Sequence, residues 1–214
     1  MADESARLSC DASASACYAR RMLHRISNML LLGCALSAWG TAPVAAQPGE
    51  PRFELNVERV VGAEGGKVYQ ITSSGTVAAT PTVVWRILTD YNHFADYLPN
   101  LKSVRVVSRH GDRVIVEQLG AARFLFFSQP VRLVVQVHEH APDRIDISLI
   151  DGDMKAYRAS WELSPLAGAA GTRVVYNATI EPKFDVPGIV GASVVRKDIA
   201  RMMEAMLLRL DRQE

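Results

Sequence analysis

From Ser103 to Pro182 the apolar residues return at every second position, and beyond Pro187 they return every third or fourth. That change of period constrains the fold more than anything else in the chain. It predicts a run of half-buried antiparallel strands followed by one long amphipathic helix. In Pro130–His140, Val131, Leu133, Val135 and Val137 point one way. Arg132, Gln136, His138 and His140 point the other, with Val134 among them. Ile145, Ile147 and Leu149 oppose Asp146 and Ser148, and Tyr157, Ala159, Trp161 and Leu163 oppose Arg158, Ser160 and Glu162. Val174, Tyr176, Ala178 and Ile180 oppose Asn177 and Thr179. A sheet with one wet face and one apolar face follows. The helix carries Val195, Ile199, Met202, Met206 and Leu210 on one stripe, with Met203 and Leu207 beside it, and supplies the cover the sheet needs. The fold class is α+β.

Turn residues divide the rest. Phe53, Leu55 and Val57 alternate with Glu54, Asn56 and Glu58, then Gly62–Gly66 turns into a strand over Val68–Ala79, with Gly75 marking a bulge. Thr80-Pro81 reads as a helix start, a capping hydroxyl before proline at the first helical position. Val84, Trp85 and Leu88 make that helix's apolar stripe, and a second short helix over Asn92–Tyr97 is closed by Pro99. Strands follow over Ser103–Ser108, Arg113–Leu119, Phe124–Ser128, Val131–His140, Arg144–Ile150, Met154–Ser164 and Thr172–Pro182, with a turn over Gly120–Arg123.

The first 46 residues read differently. Arg20, Arg21 and Arg25 precede an apolar run, Met29–Trp39, and Val44 and Ala46 sit before a cleavage point at Ala46/Gln47. This is the pattern of a secretory signal, shorter than the roughly 20 apolar residues of a membrane span. Arg20-Arg21 and Leu31-Leu32-Gly33-Cys34 resemble twin-arginine and lipoprotein signals. Ordinary cleavage after Ala46 accounts better for an apolar run that continues to Trp39. Translation from Met22 is the alternative to a long polar start. Residues 1–46 are thus expected to be a targeting segment, 47–66 a linker and first strand, and 67–214 the folded domain, exported and periplasmic. All three cysteines lie in the first 34 residues, which excludes a disulfide framework or a cysteine zinc site from the domain. A net charge of +1 gives no reason to expect nucleic acid as a partner.

Several stretches resemble one family. Ala79–Trp85 looks like its first-helix opening, and Leu88–Tyr91 with Tyr97–Leu101 look like its second-helix corner. Gly152-Asp153, Trp161–Pro165 and Gly171–Tyr176 look like its late strands, and Phe184–Pro187 like its approach to the last helix. The family is the START-like superfamily with the helix-grip fold, in the polyketide cyclase/dehydrase and lipid transport branch, which also holds coenzyme Q-binding proteins. The resemblance spans about Val68–Leu210. It implies a curved sheet wrapped around the long helix, two short helices near the start, and a cavity for an apolar ligand. The expected function is noncovalent binding or carriage of a hydrophobic small molecule (lipid, quinone or polyketide-like ring). A cyclase/aromatase or hydrolase using the same cavity is the alternative.

Candidate ligand contacts are Met202, Met203, Met206 and Leu210, since methionine adapts to irregular apolar shapes. Trp85, Tyr97, Tyr157, Trp161 and Tyr176 join them as apolar bodies with polar handles. Phe124 and Phe126, in a run of four bulky residues, read as a cavity lip or membrane-touching edge, or as a buried strand crossing. His138 and His140 share a strand face but have no third ligand, and read as solvated rather than as a metal site. Asp90 reads as a turn residue before it reads as a general base, and Asp151 and Asp153 as turn residues around Gly152. Nucleophile, phosphate-loop and dinucleotide signatures do not occur, so no cofactor is expected.

Overall fold

The structure is a computed structural model that describes residues 53–63, 65–123, 128–186 and 191–212. Eight antiparallel strands form one sheet: β1 (Phe53–Val61), β2 (Lys67–Val77), β3 (Leu101–His110), β4 (Arg113–Arg123), β5 (Ser128–His140), β6 (Arg144–Gly152), β7 (Met154–Pro165) and β8 (Thr172–Pro182). The order across the sheet is β1-β2-β8-β7-β6-β5-β4-β3. Between β2 and β3 come α1 (Pro81–Leu88), a 3₁₀ turn (Tyr91–His93) and α2 (Phe94–Tyr97), and α3 (Gly191–Arg212) follows β8. This is the helix-grip α+β architecture, and it accords with the strand periodicity. Val135, Val137, Ile145, Trp161, Leu163, Val174 and Tyr176 are buried on one face, while Arg132, Arg144, Arg158 and Arg173 are exposed on the other.

Local details differ from the sequence reading. Gly75 carries no bulge: it pairs in unbroken register with Phe53 and Val174. Register shifts fall instead at Leu101/Ser103, Val106/Ser108, Val134/Val135 and Met154/Ala156. Thr80 holds the N-cap position of α1 with Pro81 following, but its hydroxyl makes no capping bond. The turn expected over Gly120–Arg123 is strand: β4 runs on, pairing Ala121 with Pro130 and Arg123 with Ser128. The targeting segment, the Phe124–Phe127 run and Pro187 lie outside the described residues. No described helix is long and apolar enough to cross a membrane.

The aromatic corner after α1 is a clamp on the core. Tyr91 is buried, and its hydroxyl donates to Glu139 Oε1 at 2.7 Å. Arg109 donates twice to the same carboxylate, at 2.8 and 3.1 Å, with its guanidinium 5.9 Å from the Tyr91 ring centre. Tyr91, Phe94 and Tyr97 meet edge to face. Asn92 Oδ1 accepts the Val106 N–H at 3.1 Å, which ties the corner to β3.

Candidate ligand-binding site

α3 rests chiefly on β1 and β2, with α1 and α2 also packed against it. On its other side it stands off from the middle of the sheet, and a cavity of about 220 Å³ opens beneath its N-terminal half. The floor is Gly120 to Ala122 of β4 with Val131 and Leu133 of β5. Ile180 and Pro182 of β8 and Met154 of β7 form one wall, Phe184 and Val186 another, and Val194, Val195 and Ile199 of α3 the roof. The sheet helps to leave this space: the β6–β7 ladder stops at Ser148↔Arg158, so the strand ends beyond it are not paired with each other.

Among the described residues the wall is apolar except for Gln118 and a polar pole where Asn100 meets Asp198. The Asp198 side chain is 16% exposed. Arg201 Nη2 donates to its Oδ1 at 3.1 Å, the Arg123 N–H approaches Oδ2 at 3.4 Å, and the Asn100 amide donates to it as well. Burial pushes the Asp198 carboxyl above its ordinary value, while these donors pull the other way. Asn100 Oδ1 is shielded from solvent and has no hydrogen-bond partner among the described residues. The backbone holds Asn100 in place. Its carbonyl accepts the Ala121 N–H at 3.0 Å and passes so close to Gly120 that any Cβ there would collide with it.

The residues singled out from sequence mostly lie elsewhere. Met203, Met206 and Leu210 are fully buried in the C-terminal half of α3, packed as core, and Met202 lies half-buried beside them. Tyr97 reaches the same region, its hydroxyl 3.8 Å from Met206 Sδ, and Trp85 packs on the core from α1. Trp161 and Tyr176 meet tilted at 42°, ring centres 4.6 Å apart, in the sheet's apolar face. Tyr157 is paired with a cavity residue: its register partner Ile180 lines the wall, and its hydroxyl lies 3.5 Å from that of Tyr176. Phe124 and Phe126 lie outside the described residues. Asp198 and Asn100 were missed. Asp198 had a signal, since it falls between Val195 and Met202 at helical spacing, a carboxylate within the apolar stripe. Asn100 had none beyond following Pro99.

Two other hollows differ in kind. A larger one, about 700 Å³, lies on the wet face, where Gln70, Thr72, Gln136, Arg158 and Asn177 surround it with polar groups. It is the poorer candidate for an apolar ligand despite its size, because water already satisfies such a surface. His138 and His140 stand on that face 4.0 Å apart and pair with Asp112 and Asp146, and among the described residues no group of three or more ligating side chains could hold a metal. A cleft of about 290 Å³ at the short helices holds Asp90, which pairs with His93 at 2.7 Å in the open.

No functionally curated protein matches the chain. Solved structures match its fold. A START superfamily protein from Mycobacterium smegmatis is 17% identical with a TM-score of 0.59, covering 68% of this chain and 99% of its own. The Zhui aromatase/cyclase from Streptomyces sp. R1128 is 15% identical with a TM-score of 0.58, covering 68% and 95%. A STAR-related lipid transfer protein from Xanthomonas axonopodis is 16% identical with a TM-score of 0.57, covering 72% and 98%. The model of the family described as polyketide cyclase / dehydrase and lipid transport matches residues 77–207, and the chain belongs to that family.

Proposed function

We propose that this protein binds or carries a hydrophobic small molecule, held noncovalently in the cavity beneath the N-terminal half of α3. The observation that carries this reading is the cavity itself: among the described residues it is apolar on nearly all sides, with a polar pole at Asn100 and Asp198. Membership of a family described by lipid transport supports it, as does the likeness to a lipid transfer protein. At about 220 Å³ the space is below the roughly 300–1,000 Å³ of common small-molecule pockets. Such a volume suits one ring system or one short chain, not a two-chain lipid. Burial of apolar surface supplies the affinity, and the pole sets orientation.

The cyclase reading draws on the aromatase/cyclase neighbour. Folding and dehydrating a substrate needs a positioned acid and base. Among the described residues the cavity wall holds one carboxylate and no histidine, lysine or tyrosine. Binding therefore takes precedence.

We further propose that the chain is exported and that the targeting segment is removed after Ala46, as its charge and apolar pattern suggest. One experiment tests both readings. Native mass spectrometry of the exported protein is expected to give the mass of residues 47–214 plus a stoichiometric apolar passenger. Val195→Phe, which fills the cavity from its roof, is expected to lose the passenger and keep the fold. A passenger retained in full by Val195→Phe places the ligand elsewhere, and an intact N-terminus refutes the cleavage.

A further inference from the structure

Resting on that reading, we infer that the cavity selects a neutral ligand bearing a hydrogen-bond donor, an alcohol or phenol, and discriminates against anionic head groups. The argument is the chemistry of the pole. Among the described residues every group that meets Asp198 is an N–H donor: the Arg201 guanidinium, the Arg123 backbone and the Asn100 amide. All three need an acceptor, and they favour the ionised, acceptor-only form of the carboxyl against the burial that opposes it. A carboxylate offers about four lone-pair sites, and the three donors among the described residues leave one for a ligand. The Asn100 amide is also fixed, because its NH₂ is turned to Asp198 and its Oδ1 is therefore the acceptor left over, buried and without a partner among the described residues. Gln118, the third polar residue on the wall, has an amide that serves as donor or acceptor.

Charge points the same way. Arg201 is committed to its ion pair with Asp198 at 3.1 Å, and it is not part of the cavity wall, which leaves the carboxylate facing the cavity without a free cation beside it. The Arg123 guanidinium donates to the Pro99 carbonyl at 3.2 Å. No cation lines the wall among the described residues, so an incoming carboxylate or phosphate would meet an anion and an acceptor with nothing to pair it. A ligand hydroxyl supplies what the pole lacks.

The test compares three ligands of one chain length on the full-length protein, by displacement of a bound fluorescent apolar probe: decanol, its methyl ether and decanoate. Decanol is expected to bind about tenfold tighter than the ether, the worth of one hydrogen bond to a charged acceptor. It is expected to bind at least as far above decanoate at neutral pH. Asp198→Asn keeps the shape and removes the charge, and is expected to tighten decanoate about tenfold while leaving the ether unchanged. Should the ether match decanol, or decanoate match it, on the unaltered protein, the inference fails while apolar binding stands. Should neither the probe nor any of the three bind, the proposed function fails with it.

Discussion

Tyr91 shows what one hydroxyl does in this corner. It is buried, and the carboxylate it donates to is held by Arg109 from the other side. Burial, first, and then the Glu139 carboxylate push its ionisation far above the usual tyrosine value. Tyr91→Phe keeps the ring's packing and removes the donor. It is expected to cost about 1.5 kcal/mol, the lower end for a hydrogen bond to a charged group, read as a lower urea midpoint at unchanged slope. The aromatic corner was visible in the sequence as a corner, but its purpose was not. Tyr97 and Trp85 have the composition of ligand contacts and the position of core residues, and composition cannot separate the two. Asp198 was legible as a misfit on the α3 stripe. Its partner Asn100 was not, because the contact joins residues almost a hundred positions apart and depends on the Pro99–Asn100 backbone passing over Gly120.

At the scale of elements, the junction of β6 and β7 holds three strands with very few atoms. Gly152 has φ +127°, a conformation that residues with a side chain rarely adopt, and a Cβ there would strike the Arg132 carbonyl. Next to it, Asp153 Oδ2 accepts the Arg132 N–H at 2.7 Å, and the Asp153 N–H donates to the Arg132 carbonyl at 2.9 Å. The Lys183 N–H in turn donates to the Asp153 carbonyl at 3.0 Å. Gly152→Ala is expected to cost about 2–3 kcal/mol, strain plus displacement. Because Leu133, Met154 and Pro182 sit at this junction and line the cavity, the substitution should also weaken ligand retention. Denaturant unfolding and passenger occupancy, measured on one preparation, check both. Strand existence was legible throughout, since period-2 alternation needs only one wet face. Strand continuity was not: Gly120 reads as a turn residue, yet it serves as the place where a neighbouring backbone comes close.

Across the whole molecule, every tyrosine of the described residues, Tyr69, Tyr91, Tyr97, Tyr157 and Tyr176, has its ionisation pushed upward, with burial the largest cause for each. A group whose folded value is raised binds more protons folded than unfolded above its unfolded value. Stability is therefore complete below about pH 10, where free tyrosine titrates, and falls as pH rises past it. The expected result is a urea midpoint that drops above about pH 10, with tyrosinate absorbance appearing together with unfolding. Tyrosinate appearing before unfolding, at an unchanged midpoint, would contradict it. The helix-grip architecture was open to sequence reasoning because it rests on two periods and their order. The seat of the cavity was not, because it depends on which part of the sheet α3 leaves uncovered.

The strand order also has a consequence in time. From β3 to β8 each strand lies beside the next one made, so that meander can assemble as it leaves the ribosome. The hairpin of β1 and β2 cannot join it early, because β2 pairs with β8, Tyr69 against Ile180, across most of the domain's length. The first-made strands thus wait for the last-made one, and α3, which seals β1 and β2, comes later still. Such a chain keeps its opening segment unclaimed by its own sheet for almost the whole of its synthesis, within reach of any chaperone or export machinery that meets it there.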